Sequence, residues 1–308
     1  MRRALEAATG QGLGREAAVL HYNLGVSLCR AEGPRAEWEM AQQGAALARR
    51  HGIAEWVPLL EGTEVEALAD LGLIEQARTL MATALSHVGA EDWMGQVDLR
   101  SAEARMLARR GELSRTGLMD WIQQAVAKAR DLGESQYLGG LLALAAIART
   151  AVGEARAAAP LLTELERVPN VQNTLDYMRS LPDLVRVAIA AGEPELGERL
   201  AETLKPVYQL DQHAAVTARA LLAEQYGETV EAAALFADAA GRWERFEVPW
   251  EQAQALLGEG RCLLTLGRSS QAREPLHAAR DIFSSLGANP ALADVNRLLA
   301  EATALTGS

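Results

Sequence analysis

The chain has 308 residues, a formal charge of -11 and a pI near 5.1. That acidic balance argues against non-specific nucleic-acid binding, which needs clustered positive charge. The longest apolar run, Leu138 to Ala148, ends at Arg149 and is too short to span a bilayer.

Residues 1–9 (MRRALEAAT) carry charge without an apolar centre, so they do not read as a signal peptide. They read as the tail of a second hairpin helix whose partner is absent, so the chain is expected to be a fragment of a larger protein or a truncated product. From there a glycine recurs at Gly33, Gly72, Gly111, Gly153, Gly192, Gly227 and Gly267, in steps of 39, 39, 42, 39, 35 and 40 residues. Each glycine closes one apolar helical stretch and precedes another. About a fifth of the residues are alanine, the best helix former, and no run alternates like a strand. A period near forty made of two helices predicts an α-helical solenoid.

The expected fold is all-α. It is a right-handed superhelical solenoid of about seven helical hairpins, with an orphan N-terminal helix and a C-terminal capping helix, forming a single domain over 1–308. The hairpins fall at about 15–51, 54–88, 91–132, 135–168, 171–208, 211–246 and 249–286, and the cap at 290–305. In the last hairpin helix A runs from about Pro249 to Leu266 and helix B from about Ser269 to Leu286. Gly267 and Gly287 suit the left-handed residue just past a helix end. Pro290 suits the first turn of the next helix. The third hairpin holds about five extra residues after Gly111, in its turn or its helix B.

Offsets from the marker glycine reveal a shared register. Seven residues before it stand Val26, Val65, Ala104, Ala146, Val185, Ala220 and Gly260, all small or β-branched. Four before it come Leu68, Leu107, Ala188, Ala223 and Leu263, with Arg149 as the exception. Five after it come Ala77, Ala158, Ala232 and Ala272, and nine after it Met81, Leu162, Phe236 and Leu276. These positions predict apolar faces by which helices A and B pack on each other.

The pattern resembles tetratricopeptide repeats (TPR). The Leu-Gly pairs are Leu71-Gly72 and Leu266-Gly267. The alanine and large-residue pairs are Ala77 with Met81, Ala232 with Phe236, and Ala272 with Leu276. Trp56, Trp93, Tyr137 and Trp250 sit early in their helices but out of register with the family tryptophan. The longer period resembles the variant in maltose-regulator-type signalling proteins. The stretch from Trp243 to Val295 is similar to the C-terminal repeat region of bacterial STAND ATPase regulators that carry adenylate/guanylate cyclase or LuxR-type DNA-binding domains. The excess of arginine over lysine, 28 to 2, fits a high-GC bacterial genome. The resemblance implies a sensor or scaffold region and brings no catalytic residue.

Candidate chemistry reads mostly as structure. Neither Lys128 nor Lys205 follows a glycine-rich turn, and no strand precedes Gly10, Gly12 and Gly14, so no phosphate loop is expected. His21, His51, His87, His213 and His277 show no ligand spacing, and no metal or cofactor is expected. Cys29 and Cys262 stand in apolar contexts and read as buried reduced thiols. Glu64, Glu103 and Glu259 share one offset, eight before the marker. A residue recurring in three units serves the repeat rather than one active site, here through a hydrogen bond to a neighbouring helix N-terminus. The tryptophans read as packing anchors.

In the TPR resemblance helix A lines a concave groove. Transferred by offset, the groove positions are Glu66, Asp98, Arg105, Arg179, Arg186, Glu224 and Arg261. The arginines suit an acidic peptide through bidentate bonds; internal pairing, with Glu66 and Asp98 against Arg105, is the rival. The expected function is a non-catalytic, cytoplasmic interaction or regulatory scaffold. Its partner is a protein or peptide ligand, or other domains of the same signalling protein, with no nucleic acid and no membrane. The alternatives are a small-molecule inducer sensor and an α/α-toroid enzyme. Toroid glycosidases need paired acids among many aromatics, and aromatic residues are only 5% here.

Overall fold

A computed structural model describes residues 1–89, 92–202 and 206–306. Residue 91 of the expected hairpin 91–132, and 203–205 of the hairpin 171–208, lie outside the described residues. The described residues form sixteen α-helices, four short 3-10 turns and no strand. They group into two compact units, Met1–Met106 and Leu107–Ser308, with the division inside one helix.

The first unit holds α1 (Arg2–Gly10), α2 (Gly14–Glu32), α3 (Pro34–His51), α4 (Val57–Asp70), α5 (Ile74–His87) and most of α6 (Trp93–Arg110). The second holds the end of α6, then α7 (Leu118–Leu132), α8 (Ser135–Ala151), α9 (Ala159–Glu166), α10 (Leu175–Ala191) and α11 (Pro194–Glu202). It continues with α12 (Gln209–Gln225), α13 (Thr229–Arg245), α14 (Pro249–Thr265), α15 (Ser269–Leu286) and α16 (Asn289–Thr306). Consecutive helices pack as hairpins, and in the second unit first helices also meet first helices, α8 on α10, α10 on α12 and α12 on α14. That next-but-one contact defines a helical-repeat array. In chain order the helices include an N-terminal helix, a C-terminal helix and six packed hairpins, α2–α3, α4–α5, α8–α9, α10–α11, α12–α13 and α14–α15.

The marker glycines end the first helices as expected. All seven have positive φ, from 71° at Gly267 to 111° at Gly33. In six of them the next residue's N–H donates to the carbonyl four residues before the glycine: Leu73 to Leu68, Glu112 to Leu107, Glu154 to Arg149, Glu193 to Ala188, Glu228 to Ala223 and Arg268 to Leu263, at 2.8–2.9 Å. This is the Schellman closure, and it explains why that offset is so regular. Gly33 departs because Pro34 follows it and has no N–H to give. Helix B ends the same way at Gly52, Gly133 and Gly287, but at two joints the left-handed residue is Asn170 (φ 59°) or Glu247 (φ 58°). The extra residues of the third hairpin are in its turn, as a 3-10 turn at Leu113–Arg115 anchored by the buried Leu113.

The apolar register is buried. Ala77, Ala158, Ala232 and Ala272 are fully enclosed, as are Leu162 and Leu276, with Phe236 and Met81 nearly so. Six of the seven small residues before the marker are buried, and Val26 is half-buried. In α14 a β-carbon at Gly258 would lie 2.6 Å from the Phe236 ring of α13, and one at Gly260 would lie 2.5 Å from Leu276 of α15. Helix α14 is thus held between two second helices at a distance that only glycine permits. Also within the second unit, Gly111 abuts Pro290, and Gly287 abuts the Arg110 guanidinium. The end of α6 therefore meets the α15–α16 turn.

Between α12 and α13 the His213 ring meets Trp243 and Phe246 edge-on, at centroid separations of 5.5 and 5.0 Å. The Trp243 indole donates to Thr217 Oγ1 at 2.8 Å. Cys29 and Cys262 are buried and unbonded to each other. Burial, reinforced by Glu224, pushes the Cys262 thiol up to about 12.

Two outcomes follow for stability. Phe236→Ala removes a ring wedged against Gly258 and should cost about 3–5 kcal/mol in denaturant unfolding. Burial first, then Arg242 and Arg245, against an opposing Asp238, lowers the His213 pKa from 6.5 to about 4. The unfolded chain takes a proton near 6.5 and the folded one only near 4, so stability is full above that window and falls as pH drops through it. The loss should be about 3 kcal/mol in urea titrations, and His213→Phe should flatten that part of the pH profile.

Candidate functional site

Three first helices of the second unit, α10, α12 and α14, present side chains to one cleft of about 370 Å³. Arg186, Ile189 and Ala190 come from α10, Leu221, Glu224 and Gln225 from α12, and Gln254 and Arg261 from α14. Three of the groove positions read from the sequence, Arg186, Glu224 and Arg261, therefore converge. They do so because offsets from the marker glycine become heights along stacked helices.

Each of these arginines has a carboxylate partner. Arg261 grips Glu224 through two parallel bonds, Nε to Oε1 and Nη2 to Oε2, both 2.6 Å. Arg186 gives Nη1 to Asp183 at 2.6 Å and to Glu251 at 3.0 Å, and Nη2 to Glu251 at 2.5 Å. Glu251 is buried, at the first turn of α14. Burial works to lower the Arg186 pKa, but the charges of Glu251 and Asp183 overcome it and hold the guanidinium firmly protonated. For Arg261 burial is likewise overcome, by Glu224. Arg109, at the end of α6, extends the network. It meets Asp183 at 3.8 Å and stacks 4.8 Å above the Trp250 ring, which also packs edge-on against Phe283.

The remaining expected positions lie elsewhere. Glu66 on α4 and Arg105 on α6 pair with each other in the first unit. Asp98 on α6 is half-buried and packs over Gly62. Arg179 is half-buried on α10, two turns before Arg186, and does not line the cleft. All the groove positions were expected to be exposed; the pairs Glu66–Arg105 and Arg186–Glu251 are instead largely sheltered, because neighbouring first helices close over them. The helix-terminus role expected for the recurring glutamates is also replaced. Glu64 accepts from the side chains of Trp38 and Gln42 at 3.3 and 3.5 Å, and Glu103 pairs with Arg100 one turn away. Burial pushes the Glu64 and Glu259 carboxyls up, with Glu274 adding to the rise at Glu259.

Sequence reasoning missed Asp183, Glu251, Arg109, Gln225 and Gln254. Asp183 had a signal, its spacing of three from Arg186 on one helix. Glu251 had only its place in the first turn of α14. Among the described residues no group of three or more His, Cys, Asp or Glu could hold a metal ion. No helix among them is long and apolar enough to cross a membrane.

No protein-family model matches the chain. No curated protein matches it either. Among solved structures it is similar to a "Circular tandem repeat protein with novel repeat topology and enhanced subunit contact surfaces", at 16% identity and a TM-score of 0.25, covering 99% of this chain and 87% of that one. By its own helix order and packing, the chain is a helical-repeat protein.

Removing one member of the buried pair strands the other. Glu251→Leu alone should cost about 3–5 kcal/mol, and Arg186→Met alone a similar amount. The double variant should cost less than the sum by at least about 1 kcal/mol, as measured by a double-mutant cycle in denaturant. Simple additivity would mean that the two side chains are not coupled.

Proposed function

We propose that the chain is a non-catalytic interaction scaffold, and that the α10–α12–α14 cleft is its binding surface. The observation that carries the proposal is that three successive hairpins contribute side chains of mixed polarity to one open cleft. Helical-repeat arrays commonly bind through such surfaces, because the stacked first helices make a rigid floor. The ligand is a segment of another protein, or of another domain of the same signalling protein. The resemblance of Trp243 to Val295 to bacterial STAND regulators supports a TPR-type sensor or scaffold region of a cytoplasmic signal-transduction ATPase, cyclase or transcriptional regulator. A small-molecule inducer is the second reading. Its support is the cleft volume of about 370 Å³, within the ~300–1,000 Å³ range of small-ligand sites.

Ala190 is exposed on the cleft wall, so a large side chain there fills the space without entering the core. Peptides selected from a displayed library against the intact chain should bind Ala190→Trp at least about tenfold more weakly, a loss of about 1.4 kcal/mol. The melting temperature should stay unchanged. Selected peptides that bind both proteins equally would sink the assignment of this cleft.

A further inference from the structure

Two features of the cleft restrict what it can hold. The first is its charge. Both guanidiniums lining it are already met by carboxylates, Arg261 by Glu224 and Arg186 by Asp183 and Glu251. With Arg109 against Asp183, three guanidiniums (Arg109, Arg186, Arg261) balance three carboxylates (Asp183, Glu224, Glu251). A ligand carboxylate would either displace one of these partners and leave it without a cation, or add a second negative charge beside a guanidinium that is already neutralised; both are costly.

The second feature is the neutral polar lining. Gln225 and Gln254 border the cleft, and neither carboxamide has a hydrogen-bond partner among the described residues. A carboxamide sets an acceptor beside a donor. A peptide unit offers the same two groups in complementary order. Ile189 and Leu221 supply apolar wall in the same cleft.

We infer that the cleft takes an uncharged, extended peptide stretch, held through its main-chain amides by Gln225 and Gln254, with one aliphatic side chain seated on Ile189 and Leu221. The inference rests on the interaction-scaffold reading and narrows its ligand. It replaces the acidic peptide that the arginines alone suggest, because those arginines are spoken for.

The probes are three blocked pentapeptides. One is acetyl-Ser-Ala-Leu-Ala-Ser-amide, the second has glutamate in place of leucine, and the third carries an N-methyl group on the leucine amide. Binding to the full chain is followed by the methyl resonances of Ile189. The uncharged peptide should shift them and bind more tightly than the other two. Gln254→Leu and Gln225→Leu should each weaken it by about three- to tenfold, the value of one hydrogen bond, with melting temperatures unchanged. Its affinity should barely change between roughly 0.1 and 1 M salt, over which the Debye length falls from about 10 to 3 Å.

Stronger, salt-sensitive binding of the glutamate peptide would overturn the inference and leave the interaction reading intact. Indifference to N-methylation and to both glutamine variants would overturn main-chain recognition in the same way. An equal response to N-acetyl-leucinamide would make the cleft a small-molecule site and overturn both readings. No shift with any probe would overturn the inference, while the library selection against Ala190→Trp decides the wider reading separately.

Discussion

The fold rests on how closely two helices of a hairpin can approach. Alanine, glycine or valine fills the packing register of the first helices, and buried alanines that of the second, so backbones meet where larger side chains would hold them apart. At α14 the requirement acts on both sides, with Gly258 under Phe236 and Gly260 under Leu276. The left-handed glycine that ends each first helix returns the chain at the angle this packing needs. A hairpin built this way still has an apolar flank, and the neighbouring hairpin covers it. Stacking is therefore the way each pair completes its own burial.

Stacking also decides where polar groups meet. A residue at a given offset in one first helix comes to lie beside the same height in the next. Arg105 finds Glu66 at the same offset, six before their marker glycines, while Arg261 finds Glu224 one turn off that register and Arg186 on α10 reaches Glu251 in the first turn of α14. The preference for arginine suits these places. Its planar fork bonds a carboxylate twice and is less strongly hydrated than an ammonium, so partial burial costs it less. Within each unit these pairs bring charged groups together without adding net charge.

Much of the helical architecture was legible in the chain, because positive φ is a demand that glycine meets far better than other residues. The joints at Asn170 and Glu247 were not legible, since nothing in a glutamate signals a left-handed backbone. The division inside α6 had no trace either, as the glycine spacing runs on past it. Of the candidate site, Arg186, Glu224 and Arg261 could be placed by offset alone. Their environment could not. Whether Arg186 meets solvent or Glu251, 65 residues away, depends on how α10 and α14 stack, which no local spacing records. Gln225 and Gln254 were passed over because an amide without charge gives no pattern to notice.

The two thiols have a practical consequence. Cys29 and Cys262 are 2% and 1% exposed, and the Cys262 thiol holds its proton far above neutral pH. Thiolate is the form that reacts with maleimides and iodoacetamides. A cysteine introduced on the surface would therefore outcompete both native ones without their removal. The natural chain is already a clean background for single-site fluorophores and spin labels, so distances across the array can be measured with no change to its core.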